Sequence, residues 1–112
     1  MSTPLFNTDE TRWANLIEQI NISPGGIVSK PLLETDSIKQ VLFAIDANQE
    51  LSEHTSPFVA TVHVLDGQAD FVVSGEDYRL DSNDWLVMPP SAAHAVRAVK
   101  PTRMLLTLLK KS

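Results

Sequence analysis

The sequence contains no cysteine. Disulfides, thiolate metal sites and cysteine nucleophiles are therefore excluded together. Glycine is scarce, with four residues against seven prolines, and no Gly-rich phosphate loop or dinucleotide fingerprint is present. There is a single tyrosine among 112 residues. No apolar run approaches the ~20 residues of a membrane helix, which predicts no membrane span. Basic charge is sparse as well. Nine Lys and Arg oppose 14 Asp and Glu, and the longest basic run is Lys110-Lys111. Nucleic-acid binding needs a basic stripe to neutralise phosphates, so no nucleic-acid partner is expected. Met1 to Asp9 lacks a basic region followed by an apolar one, so a signal peptide is not expected and the cytoplasm is the predicted compartment.

What is present fits one domain. The length allows one core, with roughly two-thirds of the unfolded surface buried. The apolar share of 43% is that of a globular chain. Residues 9 to 20 place Trp13, Leu16, Ile17 and Ile20 at i, i+3, i+4 and i+7, a helical stripe. Thr8 is the predicted N-cap, and Ser23-Pro24-Gly25-Gly26 the stop. Residues 1–26 thus form an N-terminal segment with a short helix.

From Ile27 the pattern changes. Short runs rich in Val, Ile, Leu and Phe predict strands at Ile27–Leu33, Ile38–Ile45, Val59–Leu65, Gln68–Val73, Asp77–Leu80, Trp85–Met88, His94–Val99 and Arg103–Leu109. Turn residues separate them, among them Asp66-Gly67 and Ser74-Gly75. Connections this short cannot hold the crossover helices of a parallel sheet. Residues 27–112 are therefore read as an antiparallel sandwich or closed barrel. Trp85 is read as core packing. The runs Val41–Ile45 and Met104–Leu109 are too continuous for strands with one wet face. They predict a homodimer, with cover by the N-terminal helix within one subunit as the structural alternative.

The candidate chemistry lies in three histidines: His54, His63 and His94. His54 and His94 flank turns and are 40 residues apart, so only the fold can bring them together. Serines occur without a strand–turn–helix elbow, which argues against a serine hydrolase.

Two stretches resemble the paired motifs of the cupin superfamily. The first motif runs from Asn48 to Gly67. Asn48 stands at the opening glycine, His54 at the first histidine, Ser56 at the second, Ala60 at the glutamate and Gly67 at the closing glycine. The second runs from Asn83 to Ala98. Pro89 and His94 match, Asn83 and Ser91 stand at the glycines, and Ala98 at the asparagine. Spacing is kept throughout. The resemblance implies an all-β double-stranded β-helix, a jelly-roll barrel of the small single-domain, conserved-barrel type. It implies a divalent metal (iron, manganese, nickel, zinc or copper) at His54 and His94. Two of the usual four ligands are replaced, because neutral Ser56 is a poor donor and Ala60 has none. Ser56, Phe58, Ala60, Val62, Met88 and Val96 are the expected pocket lining.

Strand alternation puts His63 on the face opposite Ala60, Val62 and Val64, and Glu53 on the surface. Arg97 and Arg103 are candidates for a substrate carboxylate, with surface ion pairs as the simpler reading. The functional alternatives are three. One is a small-molecule-binding cupin with a reduced metal site, acting as an oxygenase or isomerase if it is an enzyme. Another is a metal-free binding or sensing module. The last is a metal-free isomerase or cyclase with a histidine base, weakened because Tyr78 follows a hairpin turn away from the pocket.

Overall fold

The computed structural model describes residues 3–111; residues 1, 2 and 112 lie outside the described residues. Nine strands follow a short N-terminal turn. They are β1 (Ile27–Glu34), β2 (Ile38–Ile45), β3 (Glu50–His54), β4 (Val59–Asp66), β5 (Gln68–Val73), β6 (Glu76–Asp81), β7 (Trp85–Met88), β8 (His94–Ala98) and β9 (Thr102–Leu109). They form a five-stranded sheet in the order β1-β2-β9-β4-β7 and a four-stranded sheet in the order β3-β8-β5-β6. Every pairing is antiparallel. The strands alternate as a two-layer jelly roll requires: in β4, Ala60, Val62 and Val64 are buried while Thr61 and His63 are only partly so. The inward residues of both sheets meet in one core that includes Ile45, Val62, Phe71, Leu80, Met88 and Met104.

A second apolar layer lies on the outer face of the five-stranded sheet. Ile20 packs with Leu32, Leu42 and Ala44, and Leu16, Ile22 and Leu105 join them. The N-terminal segment thus covers, within one chain, part of the continuous apolar runs of β2 and β9. Polar bonds pin it there. Arg103 Nε donates to the Ile20 carbonyl at 2.8 Å while Arg103 Nη1 pairs with Asp66 at 2.9 Å. Arg103 is therefore a structural clamp.

The predicted helix over residues 9–20 is largely absent. Only a 3-10 turn forms, Leu16–Gln19, capped by the Asn15 side chain rather than Thr8. Trp13 is 90% exposed, and Ile20, the far end of the stripe, is fully buried. Tertiary contact at one end and none at the other outweighs helical periodicity in so short a segment. The sequence reading also missed β3, whose residues Glu-Leu-Ser-Glu-His carry no β-former signal. Trp85 is not core: it is 61% exposed, because β7 points Leu86 and Met88 inward and Trp85 outward.

The outer face of the four-stranded sheet is charged. One rung aligns Glu50, Arg97, Asp70 and Arg79 across β3, β8, β5 and β6. Arg79 donates to both carboxylate oxygens of Asp70, at 2.7 and 2.9 Å. That hydrogen bond, with charge from Arg79 and Arg97, holds the Asp70 carboxyl below its usual range.

Three non-glycine residues with positive φ occupy motif glycine positions: Asn48 (68°), Asn83 (73°) and Ser91 (66°). The left-handed backbone is kept although glycine is not, and serine is the least suited of the three. Gly67 is retained for a different reason. A β-carbon there, at φ 103°, would overlap the Pro101 carbonyl oxygen and lie 2.6 Å from Thr102 Oγ1.

Two stability predictions follow from these turns, both read by urea unfolding. Gly67→Ala loses at least about 2 kcal/mol, since strain and overlap add. Ser91→Gly gains about 0.5–1 kcal/mol, relief of left-handed strain exceeding the added unfolded-state entropy. A third concerns acid. Because Asp70 is depressed in the fold, its contribution is present above the ordinary aspartate range and fades as pH falls through the folded value. Asp70→Asn should therefore flatten the acid limb of a stability–pH curve and leave its alkaline limb unchanged.

Candidate functional site

His54 and His94 meet. They are direct cross-strand partners on β3 and β8, with ring centroids 4.1 Å apart and planes inclined by 65°. A register shift in β3 produces this. Leu51 opposes Val96 and His54 opposes His94, so Ser52 and Glu53 together face the single residue Ala95. This is a β-bulge, which re-aims the side chain that follows it. Without it, alternation from the inward Leu51 would turn His54 away.

The same bulge fixes the ring. His54 Nδ1 lies 2.8 Å from the Ser52 carbonyl oxygen, and His94 Nδ1 lies 3.0 Å from that of Ala92. A carbonyl oxygen only accepts, so each Nδ1 carries a proton, and in the neutral ring Nε2 is the atom with the available lone pair. Both histidines thus share one tautomer and one support, a backbone carbonyl two residues upstream. Metal-bound histidines are held in this manner. It serves equally for an imidazole that accepts a hydrogen bond or a proton from a ligand.

Two loops frame the pair and are stitched together. Ser91 N–H donates to the Ser56 carbonyl at 2.7 Å, joining the β3–β4 loop to the β7–β8 loop. Ser74 N–H donates to the Ala93 carbonyl at 2.8 Å, tying in the β5–β6 hairpin. Ser56 Oγ accepts from Phe58 N–H at 3.3 Å, a local turn bond.

The expected pocket lining divides. Ala60, Val62, Met88 and Val96 are at most 5% exposed and belong to the packed core; Ala60 and Met88 face each other across β4 and β7. Phe58 is half-buried and lines a separate cleft of about 450 Å³ with Pro57, Val59, Pro90 and Leu109. The histidines therefore sit at the rim of a filled barrel, His54 exposed and His94 half-buried. Four of the six side chains expected to line a pocket are instead packed between the two sheets.

The remaining candidates lie elsewhere. His63 pairs with Trp85 and Leu105 across neighbouring strands, on the outer face, as alternation predicted. Glu53 is exposed. Arg97 donates to Asn48 Oδ1 at 2.7 Å. Tyr78 lies on β6 and donates to Glu76 at 3.0 Å.

Among the described residues, no third His, Cys, Asp or Glu joins the pair as a metal cluster. The donor set is chemically suited to a divalent transition metal, being two imidazoles each oriented by a backbone carbonyl. It supplies two positions of the four or more such ions fill. A metal held there would need its other donors from water or from a bound molecule.

Comparison with known proteins places this geometry in a family. A family model described as "Cupin domain" matches residues 41–108. No curated protein matches significantly. A conserved protein of unknown function from Streptococcus pyogenes is 28% identical, with a TM-score of 0.86 over 98% of this chain and 96% of its own. An RmlC-like cupin protein from Desulfovibrio desulfuricans is 29% identical, with a TM-score of 0.81 over 90% of this chain and 98% of its own. A cupin superfamily protein from Desulfitobacterium hafniense shares the fold at 22% identity, with a TM-score of 0.86 over 97% of this chain and 100% of its own. The paired motifs, the two antiparallel sheets and the family match converge on one assignment: the chain belongs to the cupin superfamily.

Proposed function

We propose that this cupin binds a small polar organic molecule at the barrel rim, through a divalent transition metal at the Nε2 atoms of His54 and His94. The ligand or water supplies the other donors. The carrying observation is the shared support of the two rings. Both Nδ1 atoms are committed to backbone carbonyls, which leaves Nε2 as the available nitrogen on each of two rings whose centroids lie 4.1 Å apart. When bound, the metal supplies Lewis acidity toward a ligand oxygen. The chain itself orients the two imidazoles and sets Ser56 and the stitched loops around them.

A metal-free binding module is the second reading. It is favoured by the replacement of two expected ligands by Ser56 and Ala60, and by the exposure of His54. A histidine-base isomerase with a tyrosine acid finds less support, since Tyr78 is engaged with Glu76.

Titration with Co²⁺ or Ni²⁺, followed by calorimetry and by NMR of the imidazole protons, separates the readings. The expected result is weak one-to-one binding that broadens the resonances of His54 and His94. It is abolished in His54→Ala and His94→Ala and preserved in His63→Ala. Affinity falls as pH is lowered, because a protonated imidazole has no lone pair to give. Failure to bind after reconstitution, with both imidazoles still responding to small polar ligands, establishes the metal-free module instead.

A further inference from the structure

The chain's negative charge is not spread evenly. Residues 68–91 hold Asp70, Glu76, Asp77, Asp81 and Asp84 against Arg79 alone, a net −4 of the chain's −5. Arg79, which lines the smaller of two clefts in this region, donates through Nε and Nη2 to Asp70, so its charge is largely offset there. The segment contains β6 and β7, the adjacent edges of the two sheets. Among the described residues, β6 pairs only with β5 and β7 only with β4. The outer side of each strand therefore carries backbone donors and acceptors that no ladder uses.

Between these edges run two adjoining clefts of about 660 and 410 Å³ that share Tyr78, Trp85 and Leu86. Their apolar wall includes Val73, Leu86 and Val87, while Glu76, Asp77 and Asp84 stand along them. Trp85 is 61%, Val87 48% and Tyr78 39% exposed. Strand β7 is Trp-Leu-Val-Met, apolar on both faces and without charge, proline or bulge. Only its shortness guards it as an edge.

We infer that this groove receives an extended, basic segment of a partner protein, added as a strand beside the β6 and β7 edges. Backbone bonding to a free edge gives affinity, and alternate side chains give selectivity. Apolar side chains of the segment face Leu86, Val87 and Trp85. Its lysines or arginines meet Glu76, Asp77 and Asp84, and the faces of Tyr78 and Trp85 favour cations as well. A second copy of this chain is a poorer occupant, since it would bring another acidic groove into the same field.

The probe is a blocked hexapeptide of alternating lysine and valine, titrated into the full chain. NMR is expected to show shifts confined to the β6 and β7 amides and the Trp85 indole. Calorimetric affinity should drop about tenfold between low and 0.5 M salt. Trp85→Ser, and separately Asp77→Asn with Asp84→Asn, should each weaken binding at least about tenfold, while His54→Ala leaves it unchanged. That last variant separates this groove from the histidine site. Any of four results overturns the inference: no binding at millimolar peptide, equal binding of the glutamate–valine counterpart, equal binding of an N-methylated lysine–valine peptide, or light scattering that shows a dimer split by Trp85→Ser. The third result would reduce the effect to diffuse charge attraction, and the fourth would assign the face to a second copy.

Discussion

Along a regular strand, residues two apart share a face and residues three apart do not. Leu51 and His54 are three apart, yet Leu51 packs on the core and His54 stands opposite His94. The two-for-one pairing of Ser52 and Glu53 against Ala95 makes this possible. It does two things at once, turning His54 toward its partner and bringing the Ser52 carbonyl to within 2.8 Å of its Nδ1. The rest of the site depends on that irregularity. Ser91 and Ser56 hold the flanking loops together, but they hold them around a pair that the bulge has already created.

The backbone tells a similar story at the turns. Family glycines are absent from three of the motif positions, and the conformation they serve is retained at each, with Asn48, Asn83 and Ser91 in the left-handed region. Asparagine tolerates this and serine does so at a cost. Where steric space rather than φ is limiting, at Gly67 against Pro101 and Thr102, glycine remains. Conformation is thus the quantity preserved, and residue identity is preserved only where a β-carbon has no room.

These distinctions explain what was legible in the sequence. Short apolar runs bounded by turn residues emerged as strands almost residue by residue, Ile38–Ile45 and Trp85–Met88 among them. The convergence of His54 and His94 followed from motif spacing. The bulge did not, because a polar strand of five residues with an irregular register leaves no periodic signal. The stripe from Trp13 to Ile20 misled for the opposite reason. Its period was helical, but only Leu16 and Ile20 found partners on the sheet, and a segment so short has no helical stability of its own. Trp85 misled because hydrophobicity predicts burial on average and cannot say which sheet edge lacks a neighbour.

The filled interior has a consequence for chemistry. A hollow barrel excludes water and strengthens every charge inside it. Here Ala60, Val62, Met88 and Val96 close that space, so the imidazoles at the rim act in a wetter medium with a higher effective dielectric. Point charges and single hydrogen bonds are weak under such conditions. Selectivity must then come from orientation, through rings whose tautomers are fixed by backbone carbonyls and loops tied by backbone hydrogen bonds. The acidic groove between β6 and β7 follows the same logic at a larger scale. Its carboxylates are exposed and individually weak, and they gain force only where two free edges and an apolar wall fix a chain alongside them. In both places the fold encloses little and instead holds a few groups in position against solvent.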